Sequence, residues 1–568
     1  MSTSDNGSEG GPGPGTDDGL GSTADPVAFG AALAGLSKRL ARDPAAVGGA
    51  MVRLGLGVAQ TGAIVTARAL GAASEGPVPT DPRDARFADA AWDANALYYG
   101  LRQCYLLFER TMKELAATGA DEELGAKAEF AVAQLVDALA PTNFLPGNPT
   151  ALKRAFETGG TSLVRGASRF VDDAVRNGGW PRQVDTSAFV LGKDLAATPG
   201  KVVYRNRLME LIQFEPRTEK VYEIPILLSP PWINKYYIMD LAPGKSFAEW
   251  ALDHGHTVFC ISYRNPDESF RDVGFEDYLR EGPLQALDVI EEITGAKEVN
   301  VVALCLGATL AAVMLAHLAG TKAGAARVRS ATLLNALVDF SVPGALGHFV
   351  DPGTVERLEA RMAKKGYLDG AEMAGTFNLL RANDLVWRYV SANWLMGEDP
   401  PAFDLLQWNA DATRMPARMH SEYLRWMYLE NRLAAGTLTI GRKKVSLGAS
   451  PTELYVLSAR EDHITPWRGC YKTTQLAGGP VRFVLTSSGH IAGIVNPPGP
   501  KRKHWTNDAL PADPDAWYAG AAEAEGSWWE DWARWAESRG GAKRQPPPLG
   551  SEAHPPLDDA PGRYVREP

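Results

Sequence analysis

Three side chains are best placed to do chemistry: a cysteine, an aspartate and a histidine, each just after a run of β-branched and aliphatic residues. Cys305 lies in ALCLGA (303–308), between the run 299–304 and an apolar stretch of helical character. Strand, small-x-nucleophile-x-Gly, helix is the context of a nucleophile elbow. The turn is too tight for flanking side chains, hence Gly307. It lifts the nucleophile above the sheet and aims a backbone N–H at the reacting carbonyl. Asp462 follows the run 453–457 in SAREDHITPW, and His490 follows 481–485 in TSSGHIAGIVNPP. Both fall where open α/β sheets keep their chemistry, at the C-terminal ends of strands. A free thiol titrates near pH ~8.5, so His490 must take the Cys305 proton or hold a thiolate–imidazolium pair with it, and Asp462 would fix the tautomer and orientation of His490.

Rivals for these roles are weaker. His463 adjoins Asp462 but lies in the acid's own loop, and Asp339 follows an earlier strand and is the alternative acid. A second oxyanion donor belongs on the loop after an early strand. Here that loop is SPPWINKYYIMDL, and Pro230 and Pro231 have no N–H to give. The backbone N–H groups of Leu306 and Ile233 are therefore the expected pair. No CxxC, HExxH or His/Cys cluster suggests a metal, there is no Walker A loop, and GLGVAQTG near Gly55 reads as helix.

The elements that must hold these residues follow from the rhythm of the chain. Runs at 224–228, 257–262, 299–304, 331–334, 453–457 and 481–485 alternate with helical stretches, which implies a mainly parallel sheet covered on both faces. The alternation breaks between 335 and 445, read as an inserted cap at about 340–445. Its Trp387, Trp394, Phe403, Leu405, Leu406 and Trp408 would line substrate access and exclude water. Residues 27–195 read as a helical domain. In it Leu101, Tyr105, Phe108, Met112 and Leu115 mark one apolar face of a helix within 87–115. Trp528, Trp532 and Trp535, at i, i+4 and i+7, put an aromatic face on a late helix that docks on the body of the chain. Residues 1–26 form a Gly-rich acidic tail expected to be disordered. The catalytic domain spans 196–538, and residues 539–568, with seven prolines, are expected as an extended, mobile tail.

Composition bounds the function. The chain has 568 residues and is 45% apolar and 22% charged, as in soluble globular proteins. Its net charge of −10 argues against a nucleic-acid binder held by charge. Four cysteines (Cys104, Cys260, Cys305 and Cys470) are too few for a disulfide scaffold and point to a reducing cytoplasm. MSTSDNGSEGG shows no signal-peptide pattern. Residues 299–321 carry no Asp, Glu, Lys or Arg and are long enough to span a bilayer. They read instead as a buried strand, a tight turn and a buried helix, so no transmembrane segment is expected.

On these residues the chain resembles the class I polyhydroxyalkanoate synthases from about Phe87 onward. The resemblance is carried by RFADAAW, NFLPGNPTAL, PPWINKYYIMDL, GHTVFCISYRNPD, ALCLGAT, WNADATRMP, SAREDHITPW, SSGHIAGIVNPP, the SWW helix and PGRYV. It implies an α/β-hydrolase fold with an inserted cap and a mainly helical N-terminal domain, and places the triad on Cys305, Asp462 and His490. It implies (R)-3-hydroxyacyl-CoA as substrate, 3-hydroxybutyryl-CoA among the candidates, with polyester and free CoA as products and no cofactor. It also implies a cytoplasmic homodimer on the surface of polymer granules, with granule-associated proteins as possible partners. Ala303 and Ala308 depart from the glycines usual in the family's box. A cysteine-dependent hydrolase or thioesterase of the same fold, and a non-catalytic granule-binding protein, are the competing expectations.

Overall fold

A computed structural model describes residues 26–118 and 122–568. The expected tail 1–26 lies, Pro26 apart, outside the described residues. The catalytic body is built on one sheet. Its strands are β1 (Gly200–Arg205), β2 (Met209–Phe214), β3 (Ile226–Ser229), β4 (Val258–Tyr263), β5 (Val299–Leu304), β6 (Val328–Leu334), β7 (Glu453–Ala459), β8 (Val481–Thr486), β9 (Lys503–Thr506), β10 (Ala522–Glu525) and β11 (Asp558–Asp559). The order across the sheet is β10-β9-β8-β7-β6-β5-β3-β4-β2-β1-β11. From β4 to β8 every pairing is parallel. These are the six runs legible in the sequence, and β3–β5 are buried at every position, as strands covered on both faces must be. The remaining pairings, at both edges, are antiparallel.

The charge-free stretch after Glu298 is β5, a turn at Cys305, and the helix Leu306–Leu318, buried at every position except His317. It is long enough to span a bilayer, yet it lies at the centre of the protein's own core. One apolar layer packs this helix against the cap and the Gln285–Thr294 helix. The other packs Phe247, Tyr455 and the late helix Trp528–Glu537 against the opposite face. There Trp528 and Trp529 Nε1 donate to the carbonyls of Gly493 and Ile494 (2.8 and 2.9 Å), and Ser527 Oγ donates to that of Asn496. The aromatic face thus clamps the loop that carries His490.

Helices Pro26–Arg42, Pro44–Ala69, Ala96–Ala117, Glu122–Ala138, Pro149–Glu157 and Thr161–Arg176 precede the sheet. The periodic helix begins at Ala96 rather than at 87, because Asn95 caps it by accepting from the N–H groups of Leu97 and Tyr98. Tyr105 and Leu115 are buried on its expected face, whereas Leu101 is exposed. Among the described residues, Pro44–Ala69 is the one helix long and apolar enough to cross a membrane by length and composition. It leaves Met51, Val52, Leu56 and Val58 exposed.

The segment 539–568 departs from the expected mobile tail. Lys543–Arg544 pairs with Val221–Tyr222, and β11 extends the sheet beside β1. Leu557 N donates to Val202 O (2.8 Å), and Tyr564 and Val565 are buried. Prolines do make the chain extended, but backbone pairing and these apolar side chains fix it to the body.

Candidate active site

Cys305 sits between β5 and the Leu306–Leu318 helix at φ 52°, ψ −121°. A non-glycine residue held at positive φ is strained, and such strain collects at functional turns. The surroundings enforce it. Cys305 N donates to Leu334 O (2.9 Å), and Cys305 O accepts from the N–H groups of Ala308 and Thr309 (2.9 and 3.0 Å). A Cβ on Gly307 would stand 2.3 Å from Ser229 O, so glycine is required there. Ala303 and Ala308, by contrast, are buried without displacing the elbow: Ala303 keeps register with Ser229 and Leu333 in the parallel ladder.

Asp462 and His490 meet at the ends of β7 and β8. Asp462 Oδ1 accepts from the N–H groups of Ile464 and Thr465, both at 2.9 Å. Its Oδ2 accepts from Thr465 Oγ1 (2.7 Å) and from His490 Nδ1 (2.6 Å). Burial opposes the Asp462 charge, but His490 and these donors outweigh it and hold the carboxyl below its ordinary range. Burial likewise pushes His490 down, yet the charges of Asp462 and Cys305 and hydrogen bonds with both carry it well above its ordinary value. With Nδ1 taken by Asp462, Nε2 is the ring nitrogen left to serve the Cys305 thiol. The three side chains form a relay: a thiol, an imidazole that accepts its proton, and a carboxylate that holds the imidazole.

The structure adds partners that sequence reasoning missed. Thr465 steadies Asp462 through both its N–H and its hydroxyl. Asn335, at positive φ just after β6, donates from Nδ2 to His490 O (2.5 Å), and Asn335 O accepts from Thr465 Oγ1 (3.2 Å). ITPW following the acid carried a threonine, but nothing in its spacing distinguished it from a turn residue. Asp339 is not beside His490. Its carboxylate accepts from Ser341 N and Asn431 Nδ2 (both 2.8 Å) and faces Lys472 at 3.7 Å.

Cys305, Leu306 and Ile233 line one cavity of about 500 Å³, roofed by the cap. Ile233 is fixed from below, its carbonyl accepting from Thr413 N (3.0 Å). The cap does lie between β6 and β7, yet its expected access residues point elsewhere. Trp394 packs edge-on against Phe170 and donates from Nε1 to Asp173 Oδ2 (2.9 Å). Trp408 donates from Nε1 to Lys235 O (2.8 Å), Phe403 is exposed beside Lys245, and Trp387 lies outside the cavity wall. The cap packs Trp394 against the N-terminal helices and buries Trp408 against the Ile233 loop. Phe340, Phe377, Tyr423 and Tyr428 supply the cavity's aromatic wall instead. Among the described residues no cluster of His, Cys, Asp and Glu could hold a metal ion.

Comparisons with known proteins agree with this architecture. Residues 83–251 match the family described as poly-beta-hydroxybutyrate polymerase (PhaC) N-terminus, and residues 233–497 match the alpha/beta hydrolase fold. The chain is 47% identical over 506 residues to the poly(3-hydroxyalkanoate) polymerase of Methylorubrum extorquens, covering 88% of this chain and 83% of that protein. It is 44% identical over 492 residues to the poly(3-hydroxyalkanoate) polymerase subunit PhaC of Cupriavidus necator, covering 85% and 83%. Among solved structures, a monoacylglycerol lipase from Paleococcus ferrophilus aligns with a TM-score of 0.33 at 12% identity, covering 58% of this chain and 99% of that one.

Proposed function

Since this chain belongs to the poly(3-hydroxyalkanoate) polymerase family, and so is an acyltransferase-type synthase on an α/β-hydrolase fold, we propose that it builds polymer through an acyl-enzyme on Cys305. The substrate is an (R)-3-hydroxyacyl-CoA. His490 Nε2 takes the thiol proton as Cys305 Sγ attacks the thioester carbon, and returns it to the departing CoA sulfur. One thioester replaces another, so this exchange is close to balanced in free energy and the acyl group stays activated. The hydroxyl of a further 3-hydroxyacyl unit then gives its proton to His490 and attacks the acyl carbon. An ester forms, the Cys305 thiol is regenerated, and thioester-to-ester transfer drives growth. Asp462 keeps Nδ1 protonated and oriented throughout, and the N–H groups of Leu306 and Ile233 receive the oxyanion.

The observation that carries this reading is the Asp462–His490 pair set beside Cys305, whose side chain lines an apolar cavity. Such a wall admits an acyl chain and disfavours the water that would make the site a thioesterase. No cofactor enters these steps. The enzyme works as a cytoplasmic homodimer on the surface of the polymer granule. The exposed apolar residues of the Pro44–Ala69 helix suit contact with a hydrophobic polyester. The test follows CoA thiol and insoluble polyester together from (R)-3-hydroxybutyryl-CoA. Polyester matching CoA release is expected. Stoichiometric free hydroxyacid would mean a thioesterase, and no CoA release would leave only a binding protein.

A further inference from the structure

The cavity that holds Cys305 contains a polar group the reaction above does not use. In the cap, the helix Ala417–Tyr423 buries Met419, His420 and Tyr423. His420 is 5% exposed and lines the same cavity as Cys305. Its Nδ1 is buried and has no hydrogen-bond partner, and it is the only such side-chain atom among the described residues that line this cavity. The other polar groups of the wall are engaged. Thr309 Oγ1 donates to Leu337 O (2.9 Å), Thr376 Oγ1 to Glu372 O (3.3 Å), and Arg361 faces Glu372 at 3.3 Å. The rings of Tyr423 and Tyr428 pack edge-on, their centroids 5.7 Å apart. Native interiors rarely leave a buried polar atom unpaired, and an imidazole without a protein hydrogen bond in the wall of a ligand cavity marks where the ligand's own polar group belongs.

We propose that His420 is a specificity-determining residue, which hydrogen-bonds the 3-hydroxyl of the acyl chain being loaded onto Cys305. Burial pushes the imidazole down to about 4, so it is neutral at working pH and offers one donor and one acceptor nitrogen. A hydroxyl pairs with the ring nitrogen that reaches the cavity in either tautomer, whereas a thioester or ester carbonyl pairs with it in only one. The position fits. Tyr423, three residues along the same helix, lies within electrostatic reach of Cys305. Both residues line the cavity that holds Cys305, and beyond its thioester the 3-hydroxyl is the polar group such an acyl chain carries.

The inference rests on acylation of Cys305, and its test separates the two. Single-turnover CoA release is measured on the full chain with (R)-3-hydroxybutyryl-CoA and with butyryl-CoA, which lacks the hydroxyl. The wild-type protein should favour the hydroxylated substrate in kcat/KM by about tenfold or more. His420→Leu should lose that preference by slowing only the hydroxylated substrate, and His420→Gln should retain part of it. A wild-type protein that does not discriminate overturns the proposal without any variant. So does a folded His420→Leu that keeps the wild-type ratio, or that slows both substrates equally. A CoA burst that survives in Cys305→Ala would instead sink the acyl-enzyme reading itself.

Discussion

Gly307→Ala probes how closely the elbow is fitted to the loop beneath it. The added methyl would stand 2.3 Å from Ser229 O, 2.6 Å from Pro230 O and 2.8 Å from Pro230 C, where ordinary contact begins near 3.4 Å. All three atoms are backbone, so no flexible side chain can swing aside. Roughly 1 Å must be found by moving the end of β3 and the loop to Ile233 away from the helix at Leu306. Overpacking of this kind costs about 1–3 kcal/mol in folding. The same displacement separates the N–H groups of Leu306 and Ile233 proposed as oxyanion donors, and a shift of about 1 Å in a reacting geometry costs about 100-fold in rate. The assay is CoA release from (R)-3-hydroxybutyryl-CoA alongside thermal unfolding. Gly48→Ala is the control, because nothing lies within 4 Å of the position its methyl would take; it should stay within about twofold of wild type. Gly307→Ala with wild-type melting and a rate within about threefold of wild type would refute the argument that this contact spaces the donors.

Other perturbations separate the roles of the remaining groups. Asp462→Asn should lose at least about tenfold more CoA-release activity than Asp339→Asn, a barrier difference of ~1.4 kcal/mol. Equal losses, or the reverse order, would remove Asp462 as the orienting acid. Thr465→Val deletes one hydroxyl bond to Asp462 and should lower kcat about tenfold with little change in KM; a change confined to KM would place Thr465 in substrate binding. The Asp462–His490 pair should also set a pH window for stability. The depressed Asp462 contributes above its unfolded value of 3.8 and loses that contribution as pH falls through its folded value. The raised His490 contributes fully below its unfolded value of 6.5 and loses that contribution as pH rises through its higher folded value. The gap in melting temperature between wild type and Asp462→Asn/His490→Gln should therefore be widest from pH 3.8 to 6.5 and narrow on both sides. A gap that grows steadily toward alkaline pH would contradict this sign.

The parts of the site that lie on the parallel sheet were legible in the sequence because topology alone places them. A nucleophile after β5, an acid after β7 and a histidine after β8 must converge at one edge of the sheet, whatever the loops do. Gly307 carried its own signal, since the turn excludes a side chain. The cap was legible only as an insertion. Which faces of its helices look into the cavity depends on what else competes for them. Trp394 and Trp408 were captured by Asp173 and by the Ile233 loop, leaving the wall to Phe340, Phe377, Tyr423 and Tyr428. The edge strands escaped for a related reason. Lys543–Arg544 and Asp558–Asp559 are two residues each, too short for any alternation, and their partners are fixed by tertiary packing. Asn335 acts through a hydrogen bond to a loop far away in sequence, which no local pattern encodes, and Thr465, three residues after Asp462, reads like any turn residue.

Trapping the intermediate tests the central claim most directly. The purified full chain is mixed with a small excess of (R)-3-hydroxybutyryl-CoA, quenched in acid, and examined by intact and peptide mass spectrometry. Hydroxybutyryl units are expected on the peptide containing Cys305, released by neutral hydroxylamine as a thioester must be, together with one CoA freed per acyl group transferred. Cys305→Ala should fold, carry no adduct and release no CoA. Acylation on another residue, or polyester formation by folded Cys305→Ala, would contradict that claim.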